Sequence, residues 1–145
     1  MSDVTVPVIS GFDLNLAARA TRSALDRVLE REGLTFPTWG VMNQIGSKGG
    51  RIPAEELTAA LRAGLGMGPE ALSGLLRAVA AEGLITVGEG SAELTAAGAE
   101  RFRRLQALVA DLAGELWAGF DPEELAVTRR VLVEVAERAR AAATG

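Results

Sequence analysis

The side chains that could do chemistry in this sequence are mainly arginines and carboxylates, because histidine, cysteine and tyrosine are absent. Without thiols or imidazoles there is no disulfide, no Cys/His zinc site and no cysteine or histidine nucleophile. The carboxylates form no calcium loop, and neither of the glycine-rich segments 46–50 and 64–68 is followed by the Lys-Ser/Thr pair of a phosphate-binding loop. We therefore expect no enzymatic activity, no metal site and no cofactor.

Ser73 and Arg77 are side chains of the predicted helix 69–83 that could make polar contacts with a partner. An arginine can donate two hydrogen bonds to a guanine, and a serine can bond to several base edges. A solvated arginine and an outward-facing serine are the alternatives, and they remain open.

Lys48 and Arg51 flank a glycine-rich turn before the third predicted helix, where they could contact DNA phosphates. A solvated turn would explain both residues equally well. Backbone N–H groups at helix N-termini also bind phosphates, so such contacts do not depend on these two side chains alone.

Arginines and tryptophans elsewhere could hold a small ligand. Arg19 and Arg22 lie one turn apart, and guanidinium groups pair with carboxylates through two parallel hydrogen bonds. Surface or intersubunit charges are the alternative for both. Trp39 and Trp117 could line a pocket, although tryptophans on apolar helix faces belong more often to the core. The cluster Arg101, Arg103 and Arg104 is interpreted as a solvated or intersubunit helix face.

Six helices and one hairpin are predicted to position these side chains. The first, third and fourth helices are predicted to begin at Gly11, Pro53 and Pro69, and the others directly after the caps Thr35, Thr95 and Asp121. The first five end near Glu32, Gly46, Gly64, Gly83 and Ala118. The hairpin joins strands over 84–87 and 92–94. Residues 1–10 are expected to be an extended arm that could pack on a partner.

The composition predicts one mainly helical globular domain of 145 residues, of which 48% are hydrophobic. No basic signal region is present, and the longest uncharged stretch, 33–47, is too short to span a bilayer. We expect a soluble, cytoplasmic protein without membrane association. The net charge is −4, and segment 48–94 holds four basic and six acidic residues, which is unusual for a nucleic-acid binder.

Four motifs in this order resemble the MarR family (multiple-antibiotic-resistance regulators). They are Leu34–Trp39, Leu72–Ile85, Leu94-Thr95-x-x-Gly98 and Asp121–Leu125. The resemblance covers roughly Leu14 to Ala139. It implies a mainly α winged helix-turn-helix fold within a single domain, 1–145, with six helices and a short β-hairpin wing. Segments 11–33 and 99–143 would form the dimerisation lobe, and 34–98 the winged-helix lobe.

The resemblance also implies sites. The fourth helix would enter the DNA major groove, with Ser73, Arg77, Lys48 and Arg51 as the DNA contacts. A small aromatic or acidic ligand would bind between the lobes, near Arg19, Arg22, Trp39, Met42 and Phe102. The homodimer interface would include Leu14, Leu112, Leu116, Leu125, Leu132 and Val135. So small a chain cannot bury both apolar stripes of its last two helices, which independently favours self-association.

Two function hypotheses follow from these residues. The first is a dimeric, ligand-responsive, DNA-binding transcriptional regulator. The second is a MarR-like dimer that has lost ordinary DNA binding and acts as a ligand-binding or protein-interaction module. The second is motivated by the acidic winged-helix lobe and by a wing segment, 88–93, that contains two acids and no base.

Overall fold

The computed structural model describes residues 8–144, which form six α-helices and three β-strands. The helices are α1 (Gly11–Arg31), α2 (Phe36–Gly46), α3 (Ala54–Leu65), α4 (Pro69–Ala81), α5 (Ala96–Leu116) and α6 (Pro122–Thr144). The strands are β1 (Arg51–Pro53), β2 (Ile85–Gly88) and β3 (Ser91–Leu94). The predicted helices and hairpin are confirmed. Most of the predicted N-terminal arm lies outside the described residues.

The chain divides into two compact units, the first ending at Leu112 and the second beginning at Ala113. The first unit holds α1 to α4, the sheet and most of α5. The second holds the last residues of α5 and the whole of α6. The boundary therefore falls inside a continuous helix.

Side-chain caps and prolines start the helices where the sequence predicts. Ser10 and Asp13 form a capping box at α1: the Ser10 hydroxyl accepts from the Asp13 N–H at 3.2 Å, and Asp13 accepts from the Ser10 N–H at 2.9 Å. Thr35 caps α2, and the Asp121 carboxylate accepts from the Glu123 N–H at 3.2 Å in α6. Pro69 occupies the first turn of α4.

The predicted start of the third helix is wrong by one residue. Pro53 keeps an extended backbone, with φ −59° and ψ 138°, and pairs with Ser91 as the last residue of β1. The N–H of Ala54 then donates to the Gly90 carbonyl at 2.9 Å. The helix starts only at Ala54, because the strand pairing holds Pro53 out of the helical region.

The three strands form one antiparallel sheet in the order β1-β3-β2. Thr86 and Arg51 lie on either side of Glu93 in the central strand, and Ile52 and Val87 lie on either side of Ala92. The hairpin turn has two residues, Glu89 and Gly90, because Gly88 pairs with Ser91.

The Leu94-Thr95-x-x-Gly98 segment fastens the base of the hairpin to α5. The Thr95 hydroxyl donates to the Gly83 carbonyl at 2.6 Å and accepts from the Gly98 N–H at 3.0 Å, while the Thr95 N–H donates to the Leu84 carbonyl at 3.1 Å. A Cβ atom on Gly98 would overlap the Leu84 carbonyl oxygen. The motif thus joins the end of α4 to the start of α5 through close backbone packing.

The core of the first unit is built from the predicted apolar faces of α2, α3 and α4, together with the sheet and α5. Its buried residues are Leu29, Leu34, Val41, Met42, Ile45, Ile52, Leu57, Leu61, Leu72, Val79, Leu84, Ile85, Ala92, Phe102 and Leu105. Phe102 of α5 packs over Gly46, where a Cβ would overlap the aromatic ring. Glycine at position 46 therefore lets α5 approach the end of α2.

The second unit leaves most of its apolar surface uncovered. None of the 23 residues of α6 is buried. Leu132 and Val135 are 43% and 41% exposed, and Trp117 is 50% exposed. Amphipathic helices normally depend on packing for their stability, and an exposed apolar surface of this kind is typical of interaction sites.

Candidate functional site

The outward face of α4 carries the predicted base-reading residues. Ser73 and Arg77 are both exposed, whereas Leu72 and Val79 on the opposite face are buried. A Cβ on Gly74 would meet no atom within 4 Å, so the helix surface is open there. Gly68 caps the helix without a side-chain hydrogen bond, which leaves its first N–H groups available to an anion.

The two predicted phosphate-contacting cations lie beside acidic side chains. Lys48 forms an ion pair with Glu56 of α3, with 3.1 Å between Nζ and Oε1, and both side chains are about half exposed. Arg51 is exposed and lies directly opposite Glu93 in the sheet. Directly opposed side chains of opposite charge attract each other, so the positive potential of both cations is reduced.

The hairpin projects acidic and apolar side chains. Glu89 occupies its turn and Glu93 its central strand, and both are exposed. Val87 is 51% exposed although it shares a strand face with the buried Ile85. The wing therefore offers no cationic side chain to DNA within 85–94.

The structure brings Arg22 and Trp39 together through Phe36, which the sequence reasoning did not single out. The Arg22 guanidinium lies 3.5 Å from the centroid of the Phe36 ring, and its Nε donates to Asp26 at 3.1 Å. The Phe36 and Trp39 rings are 5.5 Å apart. Phe36 was recognisable only as part of the segment that opens the second helix.

The other predicted ligand residues do not join this cluster. Met42 is fully buried in the core, and Phe102 is 7% exposed against Gly46. Arg19 lines a shallow groove on α1 with Phe12 and Leu16, both of which are exposed.

The predicted dimer residues lie on partly exposed apolar surfaces. Leu14, Leu112 and Leu125 are half-buried, and Leu116 is 40% exposed. In the second unit, Leu125 and Leu132 border an almost wholly apolar groove of about 360 Å³ with Trp117, Thr128 and Arg129.

The arginine cluster of α5 is only partly the solvated face that the sequence predicts. Arg101 is half-buried and donates to the backbone carbonyl of Glu32, and Arg104 forms an ion pair with the Glu32 carboxylate. These contacts join positions about 70 residues apart in the sequence, so local periodicity could not reveal them.

Neither a family model nor a curated protein matches the sequence. Solved structures do match the fold. A MarR family transcriptional regulator from Silicibacter pomeroyi superposes with a TM-score of 0.69 at 23% identity, over 95% of this chain and 99% of that chain. The fold is that of the MarR family.

Two further structures with the MarR fold contain bound molecules. The Mycobacterium tuberculosis regulator MosR, in complex with DNA, has a TM-score of 0.69 at 24% identity, over 92% of this chain and 98% of that chain. CouR from Rhodococcus jostii, bound to p-coumaroyl-CoA, has a TM-score of 0.74 at 19% identity, over 87% of this chain and 90% of that chain. The six helices and the small antiparallel sheet of this chain agree with that winged-helix fold.

None of the described helices combines the length and the apolar composition needed to cross a membrane. Within residues 8–144, no group of three or more acidic side chains is placed to hold a metal ion.

Proposed function

We propose that the protein is a non-enzymatic, cytoplasmic transcriptional regulator that binds double-stranded DNA as a homodimer through α4. The observation that carries this proposal is the outward face of α4 within a MarR fold. Ser73 and Arg77 are exposed there beside the open surface at Gly74. A recognition helix needs such a face, with polar side chains long enough to reach base edges in the major groove.

The proposed DNA contact uses few cations. Arg77 is the single basic residue of α4, and Lys48 is already paired with Glu56. The N–H groups at the start of α4 supply phosphate contacts that need no basic side chain. We therefore expect weak salt dependence, since each neutralised phosphate contributes a slope of about −0.9 in a plot of log affinity against log salt.

The homodimer would be formed by α1, the end of α5 and α6. This part of the proposal is supported by the exposed apolar surface of α6 and by the groove beside Trp117. A two-fold dimer would present two copies of α4 to the DNA. The recognition helices of such dimers lie about 34–36 Å apart, one turn of DNA.

Modulation by a small aromatic or acidic ligand is the finer part of the proposal. Arg22, Phe36 and Trp39 offer a cation and two aromatic rings in contact, which suits an aromatic carboxylate. Arg19, Met42 and Phe102 remain predictions as ligand contacts. Binding would act by changing the spacing of the two α4 helices, provided that the ligand prefers one arrangement of the dimer.

A second candidate function is a ligand-binding or protein-interaction module of the same fold that no longer binds DNA. The neutralisation of Lys48 by Glu56 and the acidic wing favour it. Glu56 and Glu93 would repel DNA phosphates beside Lys48 and Arg51, where the first candidate needs attraction.

A salt series of mobility-shift titrations on the DNA that flanks the protein's own gene tests the proposal. Arg77→Ala should weaken the binding free energy by about 1–3 kcal/mol. It should also reduce the preference for one base at a single position of the site, because a bidentate arginine discriminates between bases. Arg130→Ala removes the same charge from an exposed position on α6 and should change affinity much less. Equal losses across all sequences would assign Arg77 to phosphate contact. Absence of binding even at low salt would overturn the regulator and leave the second candidate.

A further inference from the structure

An open groove of about 470 Å³ lies where the C-terminal end of α1 meets the first turns of α5, within the first unit. Its lining residues are Arg31, Glu32, Ala97, Glu100, Arg101 and Arg104. The α5 residues lie on one face of the helix, because Glu100 and Arg101 are each three or four positions from both Ala97 and Arg104. Three arginines against two glutamates leave the groove with an excess of positive charge.

The groove already holds one carboxylate, which belongs to the chain itself. Glu32 follows α1 as its C-terminal cap, and its side chain is 17% exposed beneath Arg104, which is 69% exposed. Arg101 reaches past this pair to the backbone carbonyl of Glu32. Glu32 is thus a built-in example of a carboxylate bound by Arg104.

We propose that this groove binds a small oxyanion, a molecule with a phosphate or carboxylate group, through Arg31, Arg101 and Arg104. Arg101 and Arg104 each use one donor nitrogen in the contacts with Glu32, whereas a guanidinium carries five N–H donors. Arg31 makes no ion pair with any residue from 8 to 144. Planar guanidinium groups that share one groove suit bidentate recognition of such anions.

The surroundings permit an added anion. The groove opens onto the first turns of α5, where the helix dipole favours negative charge. Its volume is in the range of small-molecule sites. Glu100 and Glu32 oppose binding, and Glu32 also competes directly for Arg104. The site is separate from the outward face of α4, so the proposal does not depend on DNA binding.

Direct competition by Glu32 gives the proposal a distinctive consequence. Glu32→Gln removes the internal carboxylate but keeps the backbone carbonyl that Arg101 binds. Affinity for an added oxyanion should therefore rise in this variant. Arg104→Gln should weaken binding about tenfold, because a hydrogen-bonded charge pair with the anion is lost.

The experiment is an NMR titration of the arginine Nε–H signals of the full chain with inorganic phosphate, and separately with benzoate, at constant ionic strength. Saturable shifts of the Arg104 signal are expected with at least one of the two anions, and the preferred anion identifies the ligand class. Arg103→Gln is the matched control, because Arg103 is exposed on the same helix but does not line the groove.

Three results would overturn the proposal. Shifts that grow linearly without saturation would indicate only general salt effects. Equal weakening by Arg103→Gln and Arg104→Gln would show that the groove is not the site. Unchanged or weaker binding in Glu32→Gln would show that Glu32 does not compete with the anion for Arg104. The proposal requires that competition.

Discussion

At the scale of single residues, the lack of a Cβ atom at two glycines lets neighbouring groups pack closely against the backbone. Gly98 lies against the Leu84 carbonyl, and Gly46 lies against the Phe102 ring, so each position has no room for a Cβ. Both glycines are in helices and have ordinary backbone angles. Glycine is required at both positions because a Cβ atom would not fit, and not because the backbone needs unusual torsion angles.

Gly98→Ala should destabilise the protein by about 1–3 kcal/mol, because the added methyl overlaps a carbonyl that cannot move without breaking the Thr95 N–H bond. Urea unfolding measures the change. Gly74→Ala is the control: it lies inside α4 with no atom within 4 Å of an added Cβ, and it should gain about 1 kcal/mol from helix propensity. Similar effects of the two substitutions would contradict the close packing at Gly98.

At the scale of elements, polar caps fix the ends of the helices. At α1, the hydrogen bond from the Ser10 backbone N–H to Asp13 lowers the pKa of Asp13, and the bond from the Ser10 hydroxyl lowers it further. A lowered pKa means that folding favours the ionised carboxylate. The contribution of the capping box is therefore present above the ordinary pKa of aspartate and is lost as pH falls through the lowered value.

Ser10→Ala should raise the pKa of Asp13 only part of the way to its ordinary value, since the backbone N–H remains while the hydroxyl is removed. An NMR titration of the Asp13 carboxyl group measures this pKa. Ser23→Ala, at an exposed serine inside α1, should leave this pKa unchanged. A Ser10→Ala protein with an unaltered Asp13 pKa would show that the hydroxyl plays no part in the cap.

At the scale of the whole molecule, the exposed apolar surface of α6 is where the proposed homodimer would form. Leu132→Glu places a charge beside the groove at Trp117 and should dissociate the proposed dimer, because an unpaired buried charge is costly. Sedimentation at micromolar concentration measures the assembly. Arg130→Glu, on the opposite side of α6, should remain dimeric. A single species of 15.1 kDa for the unmodified protein would rule out the dimer altogether.

The elements were predictable from the sequence because their signals are local. Apolar spacing, the caps at Thr35 and Asp121 and the proline at position 69 each act within about one helical turn. The start of α3 was misplaced by one residue because Pro53 is held by strand pairing with Ser91, which no local pattern records.

The sequence by itself determined the helices, the hairpin, the absence of thiols and imidazoles, and the scarcity of cations on α4. Only the tertiary structure decided that Glu56 neutralises Lys48, that Phe36 joins Arg22 to Trp39, and that Arg101 and Arg104 meet Glu32. The physical reason is the range of the interactions. Periodicity and capping depend on neighbours along the chain, whereas charge pairing and ring stacking depend on distances in space that only the packed core establishes.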